Sequence, residues 1–280
     1  MILESIKMTK KFGIVGDPIK HSLSPLLHNY WFKKYNIDAE YSILNVKDKD
    51  LMNIIAKIKS KEIFGINVTL PYKQKIVPLL DILVNDAKLT SSVNTVYLDD
   101  QKRIAGDNTD VFGLQAAYLK EVENVTTKKA LVIGAGGVSP SVIFSLQKSG
   151  IKNISIINRT IEKCIFLKNK FKNLNILKWE NIQNEIKNFD IIVNATSLGL
   201  KKGKDFEFNF DGTKESLIYL DTIYNPLETK TLKYLKDNNR KVFNGLEMFI
   251  YQGQKSFYLW NKINPEIDQK LIDLLVSKLR

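Results

Sequence analysis

Four polar clusters in the first 110 residues hold groups able to bind and convert a small polar molecule. They are Gly16-Asp17-Pro18-Ile19-Lys20-His21-Ser22-Leu23-Ser24-Pro25, Asn67-Val68-Thr69-Leu70-Pro71-Tyr72-Lys73, Val93-Asn94-Thr95 and Gly106-Asp107-Asn108-Thr109-Asp110. Together they supply hydroxyls, amides, an amine and a carboxylate, a set suited to a small, densely hydroxylated carboxylic acid. A fifth cluster has a different character. Ala130-Leu131-Val132-Ile133 runs straight into Gly134-Ala135-Gly136-Gly137-Val138-Ser139 and then a helical pattern. Glycines let backbone amides approach a pyrophosphate, and the helix N-terminus adds unpaired amides and partial positive charge. Ser139 takes the place of the third small residue, and Pro140 is tolerated in a first helical turn. The next strand ends in Asn158-Arg159-Thr160, with Lys163 close behind and no acid at its tip. A tip that selects NAD carries Asp or Glu for the ribose 2′-hydroxyl, whereas a planar, always-charged guanidinium suits a 2′-phosphate. The expected cofactor is therefore NADP, with Glu162 serving the dipole of the helix it opens.

These groups must be placed by an α/β framework, because short β-rich runs alternate with helical periodicity throughout. The pattern predicts strands at 11–15, 41–46 and 65–69, with helices at 24–35 and 48–59 and a further helix from Pro71. Ser24 reads as an N-cap with Pro25 at the first helical position. Residues 93–98 and 103–106 flank Asp99-Asp100-Gln101-Lys102 and read as a hairpin near one sheet edge. Each polar cluster then falls at the carboxyl end of a strand, the edge where open α/β sheets bind ligands. From Asp110 a helix leads to the glycine-rich unit, followed by strands near 190–194 and 217–221. Residues 201–211 read as a charged, mobile excursion without an apolar period, and 245–280 as two helices.

Composition narrows the class. The 280 residues favour two domains, and 44% hydrophobic with 26% charged residues is that of a soluble globular chain. No apolar run approaches the roughly 18 residues of a spanning helix. The single cysteine, Cys164, excludes an internal disulfide and fits a reducing cytoplasm. With only His21 and His28 for imidazole, both read as structural, no metal is expected. The net charge of +12 comes from lysines scattered along the whole chain, not from a stripe or tract. Nucleic acid and membrane are therefore not expected as partners.

The motifs resemble those of the shikimate dehydrogenase family, NADP-dependent enzymes that reduce 3-dehydroshikimate in the pathway to chorismate and the aromatic amino acids. The resemblance is carried by Ser22-Leu-Ser-Pro25, Asn67-Val-Thr69-x-Pro-x-Lys73, Val93-Asn-Thr95, Gly106-Asp-Asn-Thr-Asp110 and Gly134-Ala-Gly-Gly137. It continues through Asn158-Arg-Thr160, Asn194-Ala-Thr-Ser197, Asp221-x-x-Tyr224-x-Pro226 and Asn244-Gly245-x-x-Met248 with Gln252. It implies Lys73 and Asp110 as the catalytic pair, handling the proton as hydride reaches the C3 ketone. It implies Ser22 and Ser24 on the substrate carboxylate, and Thr69, Asn94, Tyr224 and Gln252 around the ring, with Asn67 supporting the loop. Cofactor contacts follow at Gly134, Ala135, Gly136, Gly137, Val138, Asn158, Arg159, Thr160 and Lys163, with Thr222 near the nicotinamide and Gly245. Departures stand at Val138-Ser-Pro140-Ser, Ser91-Ser92 and Thr222, and bear on cofactor affinity rather than on reaction type.

The fold so implied is a discontinuous substrate-binding and catalytic domain, residues 1–109 completed by helices of 246–280. Residues 110–245 form a Rossmann-like NADP domain, with the cleft between the two as the active site. A homodimer is left open. Two alternatives stand beside this reading. A quinate/shikimate dehydrogenase with relaxed cofactor choice is disfavoured by Arg159, Ser22 and Ser24, and a non-catalytic NADP-binding sensor by Lys73 and Asp110.

Overall fold

The computed structural model describes residues 9–19, 22–200 and 204–279, so His21 and residues 201–203 lie outside the described residues. The elements run β1 (Lys10–Val15), α1 (Ser24–Lys34), β2 (Ala39–Leu44), α2 (Leu51–Lys59), β3 (Gly65–Val68), β4 (Ile82–Leu83), α3 (Ala87–Thr90), β5 (Thr95–Leu98) and β6 (Ile104–Asp107). They continue with α4 (Thr109–Ala117), β7 (Lys129–Ile133), α5 (Ser139–Lys148), β8 (Asn153–Ile157), α6 (Ile161–Lys170), β9 (Leu174–Ile176), α7 (Ile182–Glu185) and β10 (Ile191–Asn194). The last are β11 (Ile218–Asp221), α8 (Lys230–Asp237), β12 (Lys241–Phe243), α9 (Leu246–Asn261) and α10 (Gln269–Ser277). The chain divides into two compact units, Met1–Asn108 with Gly253–Leu275, and Thr109–Gln252 with Val276–Arg280.

The first unit holds a mixed sheet of order β2-β1-β3-β5-β6-β4. β1 pairs in parallel with β2 and β3, while β5 runs antiparallel to both β3 and β6, which is the expected hairpin. One face packs Val15, Ile66, Val68 and Val96 against Ile54, Ile55 and Ile58 of α2, residues spaced so that one helical face is apolar. The other face is aromatic: Phe12 lies against Phe32 and Trp260, and Phe32 and Trp31 against Phe257. The part of α9 from Gly253 onward therefore belongs with α1. Among these rings sits His28, stacked on Tyr41 with centroids 4.5 Å apart.

The second unit is an all-parallel sheet of order β12-β11-β10-β7-β8-β9. Alternate residues of β7 feed opposite cores, as a strand covered on both faces requires. Ala130 and Val132 meet α5 and α6 through Val142, Leu146, Cys164 and Leu167. Leu131 and Ile133 meet the opposite layer with Leu232, Leu235 and Phe210.

Three local expectations are corrected. No α-helix follows Pro71; Pro78 removes a donor from the run, and a single 3-10 turn at Val77–Leu79 leads into β4. Ser24 is the first residue of α1 rather than its cap, with Leu23 at the cap position. In the excursion, Phe206, Phe208 and Phe210 recur every second residue, and all three pack into the second unit's core. Phe210 meets Tyr219 edge-on at 5.5 Å. The described part of that segment is anchored by a strand-like period overlooked in favour of its charges.

His28 is fully buried, and desolvation pushes its imidazole down to about 3. An unfolded histidine takes a proton near 6.5. The folded protein therefore has the full benefit of a neutral His28 above that pH and loses stability as pH falls from 6.5 towards 3. Each pH unit in that window is worth about 1.4 kcal/mol. His28→Phe keeps the stacking and removes the titration, so its urea stability should fall by about 2 kcal/mol less than wild type's between pH 7.5 and 5. Parallel losses in the two proteins would show that His28 does not couple to folding.

Candidate active site

In the first unit the loops after β1 and β3 are joined by main chain. Thr69 N donates to Val15 O at 2.9 Å and Asp17 N to Leu70 O at 2.9 Å. Gly16 is needed at this approach, since a Cβ there would run into the Thr69 methyl. Further along the loop, the Ser22 hydroxyl accepts from Ser24 N and donates to Ser24 Oγ, both at 3.2 Å. The two hydroxyls are thus side by side, Ser24 buried and Ser22 half-buried. Half-buried Lys73 follows β3, with its carbonyl accepting from Val93 N at 2.8 Å. Asn94 is held from both sides, its N donating to Asp107 O at 3.0 Å and its carbonyl accepting from Val68 N at 2.8 Å. Ser22, Ser24, Thr69, Lys73 and Asn94 are therefore all carried on mutually hydrogen-bonded segments of one unit.

Beneath them lies a buried polar hub that the motifs alone did not reveal. Asn67 Oδ1 accepts from Tyr41 Oη at 2.8 Å, and its Nδ2 reaches Asn94 O at 3.0 Å and Ser256 Oγ at 3.0 Å. Thr95 and Ser256 hydroxyls meet at 2.7 Å. Asn67 supports the loop, as read from the sequence. The signal for Tyr41, Thr95 and Ser256 was a polar group on an otherwise buried face. Asp107 also turns inward, accepting from Asn85 Nδ2 and Asn108 N, each at 2.7 Å, while burial pushes its carboxyl up.

In the second unit the strand order reverses between β7 and β10, which makes their carboxyl ends the switch point where such sheets take ligands. Gly134 has φ +110°, and a Cβ on it would stand 2.7 Å from Thr196 Cγ2 and 2.8 Å from Ala195 O. The turn is closed from within. Ser139 Oγ accepts from Gly136 N and donates to Gly134 O, each at 2.9 Å. Asn158 Oδ1 accepts from Ala135 N at 3.2 Å and its Nδ2 donates to Thr160 O at 2.9 Å, so Asn158 ties the β8 tip to the turn. At Gly136 the geometry is different. Among the described residues a Cβ there would meet only Ala195 O, at 3.9 Å, so their packing does not exclude a side chain. Bare main chain at an open position before a helix N-terminus is what a dinucleotide pyrophosphate requires. Arg159, Thr160 and Lys163 are exposed around the β8 tip, and Glu162 lies in the first turn of α6.

The remaining residues also fall in the second unit. Buried Asp110 stands in the first turn of α4. α4 and α9 cross at Gly113, where a Cβ would lie 2.7 Å from Met248 O and 3.1 Å from Gln252 Cβ. Gln252 is half-buried and donates to Phe249 O at 2.8 Å, and Tyr224 stacks on Phe249 at 4.8 Å. Thr222 Oγ1 donates to Asn194 O at 2.9 Å, and Gly245 N to Ile223 O at 2.8 Å. Asp221, whose carboxyl burial raises to about 7, accepts from Asn194, Ile223 and Thr229. It was visible in a motif, but no role was attached to it.

Residues 14–96 match the shikimate dehydrogenase substrate binding domain, and residues 117–202 match shikimate / quinate 5-dehydrogenase. The chain is 45% identical over 268 residues to the shikimate dehydrogenase (NADP(+)) of Pelagibacter ubique, covering 96% of this chain and 99% of that protein. Its fold is similar to that of shikimate dehydrogenase from Aquifex aeolicus, with TM-score 0.86, 35% identity, and 97% and 98% of the two chains covered. It is also similar to shikimate 5-dehydrogenase from Thermus thermophilus in complex with NADP(H) and shikimate. There the TM-score is 0.85 and the identity 27%, over 97% of this chain and all 100% of that one.

The Ser139 hydroxyl closes the glycine turn through two hydrogen bonds in a fully buried place. Ser139→Ala leaves a buried carbonyl and an amide without that partner, which costs roughly 1–3 kcal/mol. Urea unfolding should register the loss. A variant as stable as wild type would mean that the turn is held by its strand contacts alone.

Proposed function

The chain belongs to the shikimate dehydrogenase family, and on that premise we propose a residue-level account of how it interconverts 3-dehydroshikimate and shikimate with NADP(H). The observation that carries the account is the gathering of two serine hydroxyls, a threonine, an asparagine and a lysine on hydrogen-bonded loops of one unit. A glycine turn at the switch point of the other unit completes it. Hydroxyls and amides recognise a polyhydroxylated acid by orientation, and a lysine among them is suited to a group on which charge develops.

Ser22 and Ser24 bind the substrate carboxylate in this account. Their mutual hydrogen bond sets both oxygens at fixed spacing before substrate arrives. Thr69, Asn94, Gln252 and Tyr224 hold the ring oxygens. Gly136, Gly137 and Val138, before α5, present main chain to the pyrophosphate, and Gly134 and Ala135 shape the turn. Arg159, Thr160 and Lys163 take the 2′-phosphate, while Asn158 keeps their strand tip in register with the turn. Thr222 and Gly245 shape the nicotinamide end.

NADPH, when bound, supplies the hydride that reduces the C3 ketone. As that carbonyl gains electrons its oxygen becomes an alkoxide, and the Lys73 ammonium supplies the hydrogen bond and the proton. We assign Asp110 to the same proton-handling pair, on its match to the family motif Gly106-Asp-Asn-Thr-Asp110, and the direction reverses when shikimate is oxidised. Substrate recognition is assigned mainly to the first unit and cofactor recognition to the second. The single cysteine fits a reducing compartment, and the cytoplasm is the location we assign.

Absorbance at 340 nm tests the activity directly, with shikimate and NADP as the reaction and quinate and NAD as controls. Arg159→Ala should weaken NADP about ten- to a hundredfold while changing NAD little, since a charge-assisted contact is worth roughly 1.5–3 kcal/mol. Equal use of both cofactors by wild type would remove the role given to Arg159.

Lys73→Ala separates chemistry from binding. Turnover should fall by about two to four orders of magnitude, with a much smaller change in KM for shikimate. Ser22→Ala is expected to reverse that split, raising KM more than it lowers kcat. Near-normal turnover in Lys73→Ala would sink the catalytic assignment.

A further inference from the structure

Asp221 ends β11 in a fully buried position, yet the reaction as derived gives it no task. All its hydrogen-bonded neighbours are donors. Asn194 Nδ2 at 3.1 Å and Ile223 N at 3.0 Å reach Oδ1, and Thr229 Oγ1 at 3.1 Å reaches Oδ2. Asn194 is its register partner at the end of β10. A side-chain amide has one accepting and one donating end, and the Ile223 amide, which can only donate, fixes Asp221 Oδ1 as an acceptor. Asp221 therefore selects which way Asn194 points, because the flipped amide would set its oxygen against that acceptor.

That choice is passed on. With Nδ2 directed to Asp221 and to Leu198 O at 3.1 Å, Asn194 Oδ1 accepts from Thr196 N at 3.0 Å and Thr196 Oγ1 at 2.7 Å. Thr196 Oγ1 in turn accepts from Leu198 N at 2.9 Å. The turn so shaped is the one whose Thr196 methyl and Ala195 carbonyl wall in Gly134. The same Asn194 carries Thr222 on its main-chain carbonyl, through the Thr222 amide at 3.1 Å and hydroxyl at 2.9 Å. One carboxyl group thus stands behind both the glycine turn and the β11 tip.

We propose that Asp221 is a positioning residue for the cofactor, acting through Asn194 to set the 194–198 turn against the glycine turn at Gly134. The proposal rests on the glycine turn being the NADP site, and it gives Asp221 no direct contact with NADP or substrate. Its removal loosens a wall of the cofactor site and leaves the serine loop of the first unit as it is. Asparagine at 221 retains a carbonyl oxygen for Asn194 and Ile223, so Asp221→Asn preserves the relay.

The test measures the NADP dissociation constant of the full chain by titration calorimetry, alongside steady-state KM for shikimate. Asp221→Ala should raise the NADP dissociation constant about tenfold, the loss of roughly one well-placed hydrogen bond to a charged group. KM for shikimate should change less than about twofold, and Asp221→Asn should stay within about threefold of wild type for NADP. A folded Asp221→Ala that binds NADP like wild type overturns the proposal, and so does equal weakening of NADP and shikimate. Thr196→Val keeps the methyl beside Gly134 and cuts the same relay, so it carries the test if Asp221→Ala does not fold. It should weaken NADP at least about threefold, and unchanged NADP binding would overturn the proposal. Turnover of shikimate by wild type tests the function separately, since the ratio of dissociation constants needs no catalysis.

Discussion

The second unit depends on one close approach, the turn after β7 against the turn after β10. At Gly134 the backbone is at φ +110° and the space where a Cβ would go is filled by Thr196 and Ala195. Conformation and space exclude a side chain independently, so no rotamer change or small shift restores the contact. The consequences run outward. Gly134 N pairs with Ile157 O at 2.8 Å, which aligns the β8 tip, and Asn158 there takes the next amide. The same contact thus sets the distance between the glycine turn and the exposed Arg159.

Both units secure their functional edges with buried amides, but in different ways. In the first, Asn67 joins β2, β5 and α9 at once, through Tyr41, Thr95 and Ser256. In the second, Asn194 joins β10 to β11 through Asp221. A buried amide left unmatched costs a few kcal/mol, so each arrangement holds only while every partner is in place. Such networks specify loop geometry more sharply than apolar packing does. Loops that must hold hydroxyl and amide groups at fixed spacing gain from that specificity.

Much of this was legible in the sequence because the strands are short, β-rich and separated by glycine or proline. The glycine turn was readable since strand, turn, helix and next strand lie within one compact stretch. What escaped was of two kinds. β4 has two residues and β9 and β12 three each, too short for any periodic signal, and they form only because a neighbouring strand offers an open edge. The phenylalanines at 206, 208 and 210 were hidden by intervening charged and polar residues, though their spacing of two matches a strand lying on a core. Among residues of the candidate site, serines, lysine and glycines were noticeable by type. The supporting Tyr41, Ser256 and Asp221 were not, because a bracing role depends on partners far away in sequence.

Two buried titrating groups pull stability in opposite directions. His28, in the first unit, has its imidazole held down to about 3, so its contribution is complete above about 6.5 and is lost as pH falls through that window. Asp221, in the second, has its carboxyl raised to about 7 by desolvation, which outweighs its three donors. The folded state then holds a proton that the unfolded chain has already released, and stability falls as pH rises from about 4 to 7. Across the same range the two contributions have opposite signs. The cost at Asp221 is the more informative. It is borne by a group whose accepting oxygen fixes the direction of one amide, Asn194, beside the glycine turn, a task a neutral asparagine can also perform.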